Sequence, residues 1–380
     1  MYCVLAPLSL FALAVAHYVE TATKGDECTH GDWNCAGSEL ERCDWGEWIA
    51  VQNCTGDNIV CSTQQDAVGC VWSWFVDSST TSQDTRPTQD LDDTSHSSSG
   101  TGEWCAPHHV IYADRWLGTM PDVSVLGDFN RFILAFWEAG TGAVDNVQAW
   151  ASWDKSYRDR VMEAYHEAGI AIMVAAFGST DLPTTSEKDA KQVAEELASF
   201  VKAYDLDGVD IDYEDMPAMN GARAVAWIVE FQTELRNLLP WPYIISHAPV
   251  APWFTSAKYY ADGSYVAIHQ QVGDTIDFYN VQFYNQGVDQ YVTCETLVTD
   301  SGSEWPSTSV FEINSYTGVP LDKIVIGKPQ SVNSASNGYM SASDLQVCVG
   351  EAREKGWNGG IMFWQWSDEA PSMMATAWGE

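Results

Sequence analysis

Asp207-Gly208-Val209-Asp210-Ile211-Asp212-Tyr213-Glu214 is the stretch that decides how this 380-residue chain folds. A β-strand turns successive side chains to opposite faces, so Asp210, Asp212 and Glu214 share one face while Val209, Ile211 and Tyr213 share the other. The apolar alternate positions imply burial on at least one side, which argues against a solvated edge strand. A calcium loop would need oxygen ligands at loop spacing around a Gly turn, and strand alternation does not supply that. Three carboxyl groups this close cannot all ionise cheaply, so at least one pKa must rise and a proton is shared. A carboxylic acid kept protonated near neutral pH is what a general acid for glycosidic cleavage requires. Glu214, last on the strand, is the expected donor.

Working outward, seven further apolar runs have strand texture: Val110–Ala113, Phe132–Phe136, Ala171–Ala176, Tyr243–His247, Phe278–Phe283, Ile324–Gly327 and Gly360–Trp364. Helical patterns separate them. Glu187 to Tyr204 places Val193, Leu197, Phe200, Val201 and Tyr204 on one face, and Asn220 to Leu239 does the same with Ile228, Phe231, Leu235 and Leu238. Ser341 to Lys355 opens on a Ser-x-x-Asp cap. Eight strands alternating with helices over about 275 residues have the size and rhythm of a (β/α)8 TIM barrel. An open doubly wound sheet is the alternative, but no Gly-rich phosphate loop follows the first strand. The expected fold is α/β: a barrel over residues 105–380 with a small disulfide-rich N-terminal module.

That module is expected over residues 26–75. Cys28, Cys35, Cys43, Cys54, Cys61 and Cys70 are separated by 6, 7, 10, 6 and 8 residues. So short a stretch cannot build a sufficient core, and a three-bridge framework of undetermined connectivity is the natural reading. Zinc is disfavoured, because there is no Cys-x-x-Cys pair and His30 is the lone imidazole nearby. Of the remaining cysteines, Cys294 with Cys348 is the preferred bridge. Residues 76–104 are expected to be a linker: of the 27 residues from Asp77 to Glu103, 13 are Ser or Thr and almost none is apolar, too little to bury a core. Residues 1–16 read as a secretory signal, with an apolar run from Val4 to Ala16 closed by Ala14-Val15-Ala16, although the usual positive start is missing. Thirteen residues are too few to span a bilayer. The expected location is therefore extracellular.

Composition narrows the partners. With 53 Asp and Glu against 18 Lys and Arg, the net charge of −35 repels nucleic acid and anionic membranes. No metal or cofactor is expected, and a monomer is. The 18 Trp and 16 Tyr suggest flat platforms for sugars, although most aromatics in a folded protein are core.

Asp207, Asp210, Asp212 and Glu214 in the pattern Asp-x-x-Asp-x-Asp-x-Glu resemble the signature of family-18 glycoside hydrolases, the retaining chitinases, in their shorter plant and fungal type. Val110-Ile111-Tyr112, Ala135-Phe136, Ser246-His247-Ala248-Pro249, Gln282-Phe283-Tyr284-Asn285 and Gly360-Ile361-Met362-Phe363-Trp364 resemble other strand ends of that barrel. The resemblance implies a substrate-assisted mechanism, in which the sugar's own 2-acetamido oxygen attacks the anomeric carbon. It implies Glu214 as acid and then base, Asp212 orienting the acetamido group, Asp210 sharing its proton, and Tyr284 bonding the acetamido carbonyl. Asp207, Tyr112, Phe136, Gln282 and Asn285 would contact substrate, with Trp364 as the floor beneath the sugar.

Two departures carry expectations of their own. The third strand ends Ala175-Ala176-Phe177-Gly178, with Phe where the family has Gly, and that ring would fill space a sugar uses. His247 stands where a small residue is usual; a satisfied core histidine is favoured over a partner of the carboxylates. The cysteine-rich module resembles the fungal chitin-binding modules of carbohydrate-binding family 19, through its six cysteines and Cys43-Asp44-Trp45-Gly46-Glu47-Trp48. Trp45 and Trp48 would then stack on sugar faces. The expected activity is hydrolysis of β-1,4-linked N-acetylglucosamine polymers. The alternatives are an endo-β-N-acetylglucosaminidase acting on N-glycan cores, and a catalytically inactive chitin-binding lectin, the latter disfavoured by the retained Glu214.

Overall fold

The structure, a computed structural model, describes residues 33–44, 47–54, 59–62, 69–72, 105–256 and 258–379. The expected signal segment, the linker and Trp45 lie outside the described residues. The chain divides into two compact units between Glu103 and Trp104.

In the first unit, β1 (Trp33–Ala36), β2 (Glu39–Asp44) and β3 (Glu47–Asn53) form an antiparallel sheet, and β4 (Ile59–Ser62) pairs with β5 (Gly69–Trp72). A two-stranded ribbon is marginal by itself. A disulfide between Cys35 of β1 and Cys61 of β4, with Cα atoms 5.7 Å apart, ties it to the sheet. Trp48 is partly exposed on β3, opposite Cys43.

In the second unit, the strands are β6 (His108–Ala113), β7 (Arg131–Glu138), the short β8 (Gly142–Ala143), β9 (Ala171–Gly178), β10 (Gly208–Tyr213), β11 (Ile244–His247), β12 (Phe278–Gln282), β13 (Ile324–Pro329) and β14 (Gly360–Trp364). The order β6-β7-β9-β10-β11-β12-β13-β14 closes on itself through the pairing of β14 with β6, giving eight parallel strands, and β8 lies antiparallel on the end of β7. The helices are α1 (Asp145–Ser152), α2 (Lys155–Glu167), α3 (Ala190–Ala203), α4 (Met216–Asn220), α5 (Ala224–Leu238), α6 (Ser264–Val272), α7 (Val310–Thr317), α8 (Ala342–Glu354) and α9 (Ala370–Trp378). Every run expected to be a barrel strand is one, to within two residues at either end. An open sheet is excluded by the closure.

Strand alternation sorts the core into two layers. Val110, Tyr112, Ile133, Ala171, Met173, Ala175 and Val325 fill the barrel interior. Val209, Ile211 and Tyr213 pack outward with the helix faces built on Leu197, Val201, Phe231 and Leu235. Gly208 is required where β10 meets β11: a Cβ there would lie 2.1 Å from the carbonyl oxygen of Ile244. Ser341 caps α8 by accepting from the amide of Asp344. Cys294 and Cys348 are bridged, Cα atoms 4.7 Å apart, across 54 residues. Closing a loop of that length removes about 4 kcal/mol of unfolded-state freedom in the chain-entropy account.

Asp207 requires a correction. It precedes β10 at the end of the barrel away from Glu214, and its carboxylate accepts from the amide of Ile172 at 2.7 Å and meets His166 Nε2 at 2.8 Å. Burial opposes a charge on His166, but Asp207 outweighs it and raises the imidazole's pKa. Asp207 therefore joins β9, β10 and α2 and does not reach a substrate. Replacing it with Asn should cost about 3 kcal/mol of stability, because the single remaining oxygen cannot serve both Ile172 N and His166 Nε2 and the charge that strengthens both bonds is gone. Thermal melting checks this: a lower melting temperature is expected, and one equal to the parent's would remove Asp207 from this structural role.

Candidate active site

The interior face of β10 delivers its carboxylates upward in sequence. Asp210 is fully buried and accepts from Tyr112 Oη at 2.5 Å, Ser246 Oγ at 2.6 Å and Asn280 Nδ2 at 2.9 Å. Burial raises its pKa, and those three donors hold the rise back. Asp212, 4% exposed, stands well above the ordinary carboxylate range. Burial is the main cause, followed by repulsion from Glu214 and Asp210, and a hydrogen bond in which Asp212 gives its proton to Glu214 adds to it. Glu214, partly exposed at the mouth, is raised by burial and pulled back by bonds from Gln282 and Asp212. A double anion in this setting is the costly state, which favours a single proton shared by the pair.

Gln282 organises the upper half of the site. Its amide donates to Asp212 Oδ1 at 2.9 Å, to Glu214 Oε1 at 3.3 Å and to the carbonyl of Ala248 at 2.8 Å. Tyr284, two residues on, is 6% exposed. Burial and then the charges of Asp212, Glu214 and Asp210 push its phenol far up, so it remains a donor. Trp364 is half-buried at the end of β14, its ring 5.7 Å from Tyr112 and 5.9 Å from Phe136. The Ala135–Phe136 and Trp364–Gln365 peptides are both cis. Phe136 lies over Gly178, where a Cβ would come within 3.0 Å of the ring.

Three expectations change, those for Tyr112, Asn285 and Phe177, while His247 is as expected. Tyr112 is 1% exposed and its hydroxyl is spent on Asp210, so it belongs to the proton network and not to a sugar contact. Asn285 is exposed on the rim with φ 64°, and its side-chain oxygen accepts from Ser336 N at 2.8 Å, so it shapes the loop after β13. Phe177 does not enter the cleft: a φ of 82° breaks the alternation of β9, and the ring packs outward against Tyr213, Trp227 and Phe231. His247 is a core residue, bonded to Tyr265 Oη and Gln232 Oε1, each at 3.0 Å, with burial pushing its pKa down to about 3. Gln232 also donates to Thr275 through its amide nitrogen, which leaves its oxygen as acceptor and makes His247 Nε2 the donor.

Three functional groups were not singled out from the sequence. Ser246 faces Asp210 directly across the β10–β11 register. Asn280 sits two residues before Gln282 on the same face of β12, and that spacing was its available signal. Asp215 is fully buried and accepts from Thr185 N and Oγ1, both at 2.6 Å, and from Ala218 N at 3.0 Å. It caps α4 and fixes the chain immediately after Glu214; its signal was the Asp-Met-Pro start of a helix.

The chain is 25% identical over 218 residues to a chitinase of Enterococcus faecalis, covering 53% of this chain and 60% of that protein. It is 24% identical over 237 residues to a chitinase of Flavobacterium johnsoniae, covering 54% and 14% respectively. The match therefore spans less than two thirds of either relative. The crystal structure of a GH18 chitinase from Pseudoalteromonas aurantia superposes with a TM-score of 0.60 at 27% identity, covering 71% of this chain and 99% of that one. A fungal endo-β-N-acetylglucosaminidase of family 18 superposes at 0.52 with 19% identity, covering 71% and 98%, which shows a shared fold. Residues 108–366, more than half the chain and including the strand that carries Asp210, Asp212 and Glu214, match the profile of "Glycosyl hydrolases family 18", and the chain belongs to that family.

Proposed function

We propose that the protein is a secreted, retaining chitinase that cleaves β-1,4-linked N-acetylglucosamine polymers by substrate-assisted catalysis. The observation that carries this reading is the placement of Asp212 and Glu214 side by side beneath Gln282, whose amide donates to both, at 2.9 Å and 3.3 Å. Glycosidases with two protein carboxylates set them about 5 to 9 Å apart across the scissile bond. Here the partner of Glu214 is hydrogen-bonded to it, and Asp210 is buried beneath three donors. Neither stands where a protein nucleophile must, so the nucleophile is assigned to the substrate's acetamido oxygen.

In this reading Glu214 takes the shared proton and gives it to the glycosidic oxygen as the bond breaks. Asp212, left as an anion, accepts from the acetamido N–H and offsets the positive charge developing on the sugar. Asp210, held by Tyr112, Ser246 and Asn280, supplies a fixed negative charge that keeps this exchange near balance. Tyr284 donates to the acetamido carbonyl and orients it, and Trp364 with Phe136 forms the apolar floor. Glu214 then takes a proton from water, which opens the intermediate with retained configuration.

Phe177 turns away from the cleft, so the altered third strand gives no support to N-glycan cores as the substrate. Mass spectrometry of products from a chitin oligomer and from a high-mannose glycoprotein, incubated in parallel, tests the choice. Shortened oligomers from the first are expected; release of glycans from the second alone would favour the endo-β-N-acetylglucosaminidase.

The cysteine-rich unit is proposed to be a chitin-binding module like those of carbohydrate-binding family 19, and the barrel to be of the short plant and fungal type. Trp48, partly exposed on β3, supports a stacking role. A weak tethered binder raises enzyme concentration on a solid without altering the active site. Removing residues 1–104 should therefore lower activity on insoluble chitin about tenfold or more while changing turnover of short soluble oligomers less than about twofold. Equal loss on both would refute the tethering role. The protein is further proposed to act as an extracellular monomer without nucleic-acid or membrane partners, consistent with its charge of −35.

A further inference from the structure

Resting on the role proposed above for Tyr284, we infer that Lys328 is a positioning residue of the reaction: its amine closes the loop that begins at Tyr284 and so sets where that phenol meets the substrate's acetamido carbonyl. Lys328 lies on β13 and is fully buried. Val325 faces the barrel interior, so strand alternation turns Lys328 outward. Among the described residues it forms no ion pair, and burial pushes its pKa down to about 7. Burying an amine in this way is costly, and an apolar side chain of similar volume would be easier to accommodate. What explains the lysine is the pair of groups it holds.

Lys328 Nζ donates to the carbonyl of Phe283 at 2.9 Å and to that of Tyr291 at 2.8 Å. These two residues bracket the segment that follows β12. Tyr291, at a φ of 56°, is fully buried, and its hydroxyl lies 2.6 Å from Thr308 Oγ1. The far end of the segment is therefore anchored, and one amine ties its beginning to that anchor. A buried carbonyl needs a donor, and Lys328 supplies one to each.

Phe283 directly precedes Tyr284. Its N–H donates to the carbonyl of Gly327 at 3.1 Å, and its carbonyl accepts from Lys328, so adjacent residues of β13 hold both of its backbone polar groups. On the other side of Tyr284, Asn285 N donates to the carbonyl of Asn337 at 3.2 Å. Gly338, at a φ of 92°, comes so close that a Cβ there would lie 2.6 Å from Tyr284 Cα. The backbone of Tyr284 is thus clamped from both sides, and Lys328 is the side chain that closes the clamp. Without the amine, two buried carbonyls lose their donor and the segment is free to shift. A misplacement of about 1 Å in a group that orients the substrate can cost about a hundredfold in rate.

The test is a double-mutant cycle in the full-length protein, with kcat and KM measured on an N-acetylglucosamine hexamer. Lys328→Met keeps the volume and removes the donor; it should lower kcat about tenfold with KM within about twofold. In a Tyr284→Phe background the same substitution should lower kcat less than about twofold, because Lys328 acts through that phenol. A residue that only supports the fold would lower kcat equally in both backgrounds. Lys328→Gln, which keeps a donor of shorter reach, should recover part of the loss. A full tenfold loss in the Tyr284→Phe background, or a Lys328→Met variant with the parent kcat, would overturn this inference alone. So would loss of the fold in both Lys328 variants, judged by circular dichroism, since the amine would then serve the whole barrel. A wild-type protein inert on the hexamer would overturn the hydrolase reading, and a Tyr284→Phe variant with the parent kcat would overturn the role of Tyr284; either result removes this inference with it.

Discussion

Glu214→Gln should lower turnover of chitin oligomers by about a thousandfold or more, while the variant still binds them. Gln is close to isosteric, so the bond from Gln282 Nε2 to position 214, 3.3 Å in the parent, and the packing around it are kept. What is lost is the transferable proton, and general acid–base assistance is worth about 10² to 10⁴ in rate. Two roles are removed together here, protonating the leaving oxygen and activating water, which places the expectation in the upper part of that range. The loss should fall on kcat, with oligomer binding measured by calorimetry changing by less than about threefold. Turnover near that of the parent protein would remove Glu214 from the chemistry.

Asp212→Asn should reduce kcat by about a hundredfold and also reshape the pH profile. The rate loss follows from losing the anion that faces the developing positive charge. For the pH profile, the sign follows from the shared proton. In the parent, removing the last proton from the pair creates two adjacent buried anions, which holds that proton on to higher pH. A neutral amide at position 212 removes the repulsion, so Glu214 loses its proton at lower pH. The alkaline limb of kcat/KM should therefore move acidward. A limb that stays in place, or moves to higher pH, would mean that Asp212 does not share its charge with Glu214.

The sequence carried the barrel because strand-like runs recur with helical patterns between most of them, and local pattern suffices for that. It carried Asp210, Asp212 and Glu214 because residues two apart on a strand must share a face. The same parity already placed Asp207 with Val209 on the outward side; only the family pattern suggested otherwise, and the bond to Ile172 N follows parity. Contacts between distant strands were not legible. Tyr112 and Asp210 are 98 residues apart, and their meeting depends on the register of a closed barrel. Ser246 and Asn280 were hidden for the same reason. Phe177 escaped because one residue at positive φ reverses the face of a strand, which side-chain type does not reveal outside Gly.

Proton NMR of the first sugar anomers released from an N-acetylglucosamine hexamer tests the central claim most directly. Attack by the acetamido oxygen followed by water inverts the anomeric carbon twice, so the new reducing ends should appear as the β anomer and drift to the equilibrium mixture. New ends appearing first as the α anomer would mean that water attacks directly, and would contradict the assignment of the nucleophile to the substrate.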